Sequence, residues 1–98
     1  MAIIEVCLVP IGTGQTSVSS FVAGAEKVLK EEGAKFKLNP MGTVIEAEPE
    51  EGFRLVRKMQ EDVFSKGCDR VYTVIKMDER RDKDSSMEQK IKSVEDKL

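Results

Sequence analysis

Along the chain, apolar and polar positions repeat with two different periods, and each change of period marks an element. From Ile3 to Val9 nearly every residue is apolar and several are branched, the pattern of a central strand. Alternation places Ile4, Val6 and Leu8 on one face and Ile3, Glu5, Cys7 and Val9 on the other. Pro10-Ile-Gly-Thr-Gly14 ends this strand. The period then lengthens. Val18, Phe21, Val22, Ala25, Val28 and Leu29 recur at i, i+3, i+4 and i+7, which predicts an amphipathic helix. Thr16 or Ser17 is placed to cap it, and Gly33 to stop it.

Lys35 to Glu48 returns to the short period. It predicts two short strands reversed at Asn39-Pro40-Met41-Gly42, where proline fixes φ and glycine accepts φ > 0. Pro40 also removes a ladder donor, which puts the first of these strands at a sheet edge. The second carries Thr43, Glu46 and Glu48 among Val44, Ile45 and Ala47. Those carboxylates are either a solvated face or the floor of a binding site.

Pro49-Glu50-Glu51 opens a second helix with acidic residues in its first turn, where the helix dipole favours them. Leu55, Val56, Met59 and Val63 form its inward stripe, and Gly67 closes it. Val71 to Met77 has the β-branched and aromatic character of a fourth strand. A charged linker, Asp78 to Asp84, leads to a last helix over about residues 86–98, opened by the capping-box pattern Ser86-x-x-Gln89. Its apolar face is only Met87, Ile91, Val94 and Leu98, too thin to bury much alone, so docking on a neighbouring subunit is expected.

The order β-α-β-β-α-β plus a terminal helix predicts an α+β protein, a single ferredoxin-like domain spanning residues 1–98. In that arrangement the first and third strands are central and the second and fourth lie at the edges, in agreement with Pro40. Both long helices cover one face of the antiparallel sheet. The other face is expected to show Glu5, Cys7 and Val9, then Val44, Glu46 and Glu48, then Tyr72, Val74 and Lys76. A half-apolar face on so small a chain points to a homo-oligomer packed through its sheets.

Composition narrows the function. The chain has 98 residues, 35% charged and 40% hydrophobic, with a formal net charge of −2. No basic field exists to draw nucleic acid or an anionic membrane, so neither is expected as a partner. No run of about 18 apolar residues is present for a membrane span, and the Ile3–Ile11 run, broken by Glu5, reads as a strand rather than a leader. Two distant cysteines, Cys7 and Cys68, and no histidine argue against a disulfide framework and a zinc site, and place the protein in the reducing cytoplasm. No cofactor is expected.

Candidate chemistry is sparse. Gly12-Thr-Gly14 before a helix is either an ordinary turn or an anion contact, since the Gly-Lys-Ser/Thr ending of a phosphate loop is absent. Among Thr16, Ser17, Ser19 and Ser20, one hydroxyl is expected to cap the helix and a second to turn toward a ligand. Glu46 and Glu48 lie on one face of their strand, roughly 7 Å apart. With no nucleophile or histidine beside them, an enzyme is not expected. Arg80 and Arg81 alternate with Asp78, Asp82 and Asp84, a surface ion-pair cluster or a subunit contact.

Four segments together resemble a known family. They are Pro10-Ile-Gly-Thr-x-x-Thr16-Ser-x-Ser-Ser20-x-Val-Ala, Met41-Gly-Thr-x-x-Glu-Ala-Glu48, Asp69-Arg-Val-Tyr-Thr73 and Asp78-x-Arg-Arg-Asp82. In combination they resemble the small thiamine-binding proteins, relatives of the YkoF proteins. The resemblance implies a ferredoxin-like fold, a homotetramer built as a dimer of dimers through the sheets, and binding of thiamine or its hydroxymethylpyrimidine portion. It implies Ser17, Ser19, Thr43 and Glu46 as ligand-binding residues, with Glu46 accepting from the pyrimidine amino group. The alternative is a structural or regulatory module whose sheet faces serve only assembly.

Overall fold

A computed structural model describes residues 1–98. Its elements are β1 (Ala2–Ile11), α1 (Ser19–Glu31), β2 (Lys35–Asn39), β3 (Gly42–Ala47), α2 (Pro49–Ser65), β4 (Arg70–Glu79) and α3 (Met87–Glu95). The four strands form one antiparallel sheet in the order β2-β3-β1-β4, the ferredoxin-like arrangement expected from the element order.

Strand register assigns the two faces. Ile4 lies between Ile45 and Met77, and Val6 between Thr43 and Ile75. These residues face α1 and α2. Ile4, Leu29, Ile45, Leu55, Met59 and Val63 are the largest fully buried side chains, so the core lies between this sheet face and the helices. Gly52 brings α2 close to β1, because a Cβ there would lie 2.1 Å from Ile4 Cδ1. The predicted stripe of α2, Leu55, Val56, Met59 and Val63, is buried throughout.

The opposite face carries Glu5, Cys7, Val9, Val44, Glu46, Tyr72, Val74 and Lys76, as expected by alternation. Glu48 does not join them. β3 ends at Ala47, and Glu48 is the exposed residue preceding the first turn of α2.

The sheet is uneven in length. β1 and β4 pair over ten residues each, whereas β3 accompanies β1 only from Ala2 to Val6. From Cys7 onward β1 pairs with β4 alone, so a two-stranded ribbon overhangs the sheet. The molecule measures 44 Å along its longest axis. Its radius of gyration is 14.5 Å, against about 12.6 Å for a compact chain of this length.

Three local expectations are corrected. Neither Thr16 nor Ser17 is the capping residue of α1; that position is Val18, which has no side-chain cap bond, and Ser17 only accepts the Ser19 N–H at 3.5 Å. The Ser17 hydroxyl is also 3.2 Å from the Ser19 hydroxyl. Gly42 has no positive φ. Its requirement is space, since a Cβ would lie 3.2 Å from Glu5 Cγ and 3.3 Å from the Val6 carbonyl oxygen. The last helix ends at Glu95 rather than near Leu98. Its capping residue is Ser86 as expected, the hydroxyl accepting from the Gln89 backbone N–H at 3.1 Å.

Candidate functional site

A pocket of about 200 Å³ opens in the notch left where β1 runs past β3. One wall is α1, through Val18, Phe21 and Val22. Another is the β2–β3 hairpin tip, through Leu38, Pro40 and Met41, and the floor is Val6, Leu8 and Met59. The sequence marked Val18, Phe21 and Val22 as core. They are only partly buried because α1, longer than the sheet beneath its first turns, has no β3 residue to pack on there.

One ionisable carboxyl lies in this apolar lining. Glu26 follows Val18 and Val22 at i+8 and i+4, so it continues their row along α1 and points between helix and sheet. Its Oε1 accepts a hydrogen bond from the buried Thr43 hydroxyl. Its Oε2 is buried and has no hydrogen-bond partner. Glu26 was not among the residues picked out from sequence. The available signal was a carboxylate interrupting an apolar helical row, which resembles any solvated helix glutamate until the hairpin is placed above it.

Only one of the four sequence-predicted ligand residues lines the pocket. Thr43 does, on the helix-covered face. Ser17 and Ser19 flank Val18, which lines the mouth, but both are exposed and their hydroxyls contact each other. Glu46 is three residues from Thr43 in the same strand, so it projects from the opposite face. The structure therefore does not assemble Thr43 and Glu46 into one site.

Glu46 is fully engaged where it lies. With its side chain only 5% exposed, it pairs with Lys35 at 2.6 Å through Oε2 and accepts the Met87 backbone N–H at 3.0 Å through Oε1. A carboxylate is thus seated at the N-terminus of α3, where unbonded N–H groups and the helix dipole favour negative charge. Lys35 also reaches Glu88 at 2.9 Å, and Lys90 of α3 pairs with Asp78 of β4. Glu46, followed by Glu88, holds the Lys35 ammonium above its ordinary value, while Lys35 lowers the Glu88 carboxyl. These ties lay the start of α3 across one end of the open face. Met87 is buried there, but Ile91, Val94 and Leu98 stay exposed.

The rest of the open face is bare. Val9 and Val74 are each 38% exposed and Tyr72 is 59% exposed. Arg80–Asp82 and Arg81–Glu79 form surface pairs at 2.5 and 2.9 Å. No group of three or more His, Cys, Asp or Glu side chains is arranged to hold a metal ion. No helix is long and apolar enough to cross a membrane.

An apolar pocket with a hydroxyl and an incompletely bonded carboxylate, on a ferredoxin-like scaffold, defines a small-molecule binding protein of the α+β class. Residues 4–95 match the thiamine-binding protein family, and the chain belongs to that family. Two relatives cover nearly the whole chain. A UPF0045 protein of Methanothermobacter thermautotrophicus is 41% identical over 95 residues, 96% of both chains. The UPF0045 protein YqgV of Bacillus subtilis is 44% identical over 98 residues, 96% of this chain and 94% of its own. Among solved structures, a hypothetical protein of Methanocaldococcus jannaschii is similar at a TM-score of 0.88 with 35% identity, covering 96% of this chain and 95% of that one. A Thermotoga maritima protein with a suggested role in thiamine biosynthesis or salvage shares the fold, at a TM-score of 0.79 and 17% identity, covering 95% and 97%.

Proposed function

We propose that this chain is a non-enzymatic cytoplasmic binding protein for thiamine or its hydroxymethylpyrimidine portion, and that it acts as a homotetramer, a dimer of dimers through its sheets. The observation that carries the ligand reading is the α1–hairpin pocket, mostly apolar, with Thr43, Glu26 and Asn39 as its polar side chains. At about 200 Å³ it is smaller than the roughly 300–1,000 Å³ of pockets that enclose a drug-sized ligand. It suits one substituted ring. The pyrimidine would occupy it and the thiazolium would lie toward the mouth, near Ser17, Ser19 and Met41. Membership of the thiamine-binding family supports this reading.

Assembly is supported by the bare half of the open face and by the uncovered Ile91 and Val94 of α3 and Leu98 beyond it. These same surfaces favour the second reading, an assembly module with no thiamine-type ligand. Calorimetric and thermal-shift titration with thiamine and with hydroxymethylpyrimidine separates the two. At a ligand concentration one hundred times Kd, stabilisation of about 2.7 kcal/mol is expected. No heat and no shift at millimolar ligand would overturn the binding reading and leave the second. Light scattering that returns a monomer mass would overturn the tetramer.

A further inference from the structure

Glu26 is the one carboxylate in the chain with a buried, unpartnered oxygen. Its Oε1 is occupied by the Thr43 hydroxyl, and it takes part in none of the ion pairs of the chain. Phe21, Val22, Leu38 and Met59 line the same pocket, which is mostly hydrocarbon. Such a group destabilises the folded state unless something supplies donors, because its hydration has been removed and not replaced. Folding alone gives no reason to keep a glutamate in an apolar row. A ligand that brings N–H groups into the pocket does.

We propose that Glu26 is the specificity-determining residue of this pocket. The ligand class it selects is a flat nitrogen heterocycle with an amino group beside a ring nitrogen, presenting two N–H donors side by side to the carboxylate. The inference rests on the reading of this pocket as the ligand site. A carboxylate offers about four lone-pair directions, of which Thr43 takes one. When the ring nitrogen carries a proton, the two N–H bonds are parallel, as in a guanidinium fork, and meet the two oxygens in a charge-assisted pair. The apolar walls take the ring faces. Other ligand classes fail for separate reasons. Phosphate and carboxylate anions are repelled by Glu26, so a phosphorylated ligand must keep its phosphate outside. A ring lacking the amino group fills the walls but leaves Oε2 without a donor, and a buried polar group left unpaired is what makes a site reject a near-isostere.

The test uses fragments as well as whole ligands. Titration of the full chain with 4-aminopyrimidine, 4-methylpyrimidine and inorganic phosphate, followed by amide chemical shifts, is expected to perturb Val22, Thr43 and Met59 with the amino compound. The methyl compound should bind at least tenfold more weakly, and phosphate should leave these amides unmoved. Glu26→Gln should weaken 4-aminopyrimidine tenfold or more while leaving 4-methylpyrimidine unchanged. Equal binding of the amino and methyl compounds by the unaltered chain would overturn the proposal, and that comparison does not depend on the variant folding. So would an unaltered affinity in Glu26→Gln. If the amino fragment binds through Glu26 but thiamine and hydroxymethylpyrimidine do not bind, the ligand reading falls and this inference stands. If thiamine binds equally to both chains, this inference falls and the ligand reading stands.

Discussion

Glu26 and Glu46 are both carboxylates drawn into the body of the protein, one on each side of the sheet. Glu46, on the open face, has a cation, a backbone N–H and a helix terminus directed at it. Glu26, on the helix-covered face, has a single hydroxyl and an oxygen with nothing. The difference separates two uses of a carboxylate with buried oxygens. A carboxylate whose bonding is complete holds structure together, here by tying the last helix to the sheet. One whose bonding is incomplete is held by the surrounding fold against its own preference, and it is the better place to look for a ligand. The family resemblance pointed to Glu46; bonding completeness points to Glu26.

The contrast between the two faces can be broken most forcefully in the core. Ile45→Ala, on the helix-covered face and fully buried, should cost about 2–5 kcal/mol in denaturant unfolding. Val74→Ala, on the open face, should cost under about 1 kcal/mol in the isolated chain and act instead on assembly mass. Equal losses would mean that the open face is not bare. Glu46→Ala should cost about 1–3 kcal/mol, since the Met87 N–H and Lys35 lose their acceptor. Its signature is loss of amide-exchange protection in α3, with the pocket amides unaffected. A shift confined to pocket amides would reverse the roles given to the two carboxylates.

Smaller effects sharpen the same contrast. Glu26→Gln should change stability by no more than about 1 kcal/mol and in the stabilising direction, because it replaces a partly buried carboxyl that has one unbonded oxygen. A loss comparable to that of Glu46→Ala would show that Glu26 is structural. Acidification should loosen α3 before the rest of the fold. Glu88 and Asp78 are held below their ordinary values of 4.5 and 3.8 by Lys35 and Lys90. Depressed carboxyls stabilise above those values and lose that contribution as pH falls below them. Protection factors in α3 that stay flat from neutral pH to below 4 would contradict this.

The fold was readable because its signals are local. Ile4, Val6 and Ile45 follow strand alternation, the α2 stripe follows the helical period, and Pro40 and Gly67 mark the places where the chain turns or stops. The candidate site was readable only in part. Thr43 was identified, yet its partnership with Glu26 crosses from a hairpin to a helix 17 residues away. Ser17 was expected to cap a helix that starts without a side-chain cap. Val18, Phe21 and Val22 carried the same apolar signature as the core residues Ala25 and Leu29, and no periodicity separates a wall from a core.

The sequence by itself determined which residues form strands and helices, the order of those elements, and the sides on which Thr43 and Glu46 project, because these depend on neighbours within a turn or two of backbone. The tertiary structure decided how far β3 runs along β1, where α3 lies, and so which carboxylate is satisfied and which is not. Those outcomes depend on strand register and on the relative lengths of paired elements. A pocket is space that no element fills, and only the assembled elements show where that space is.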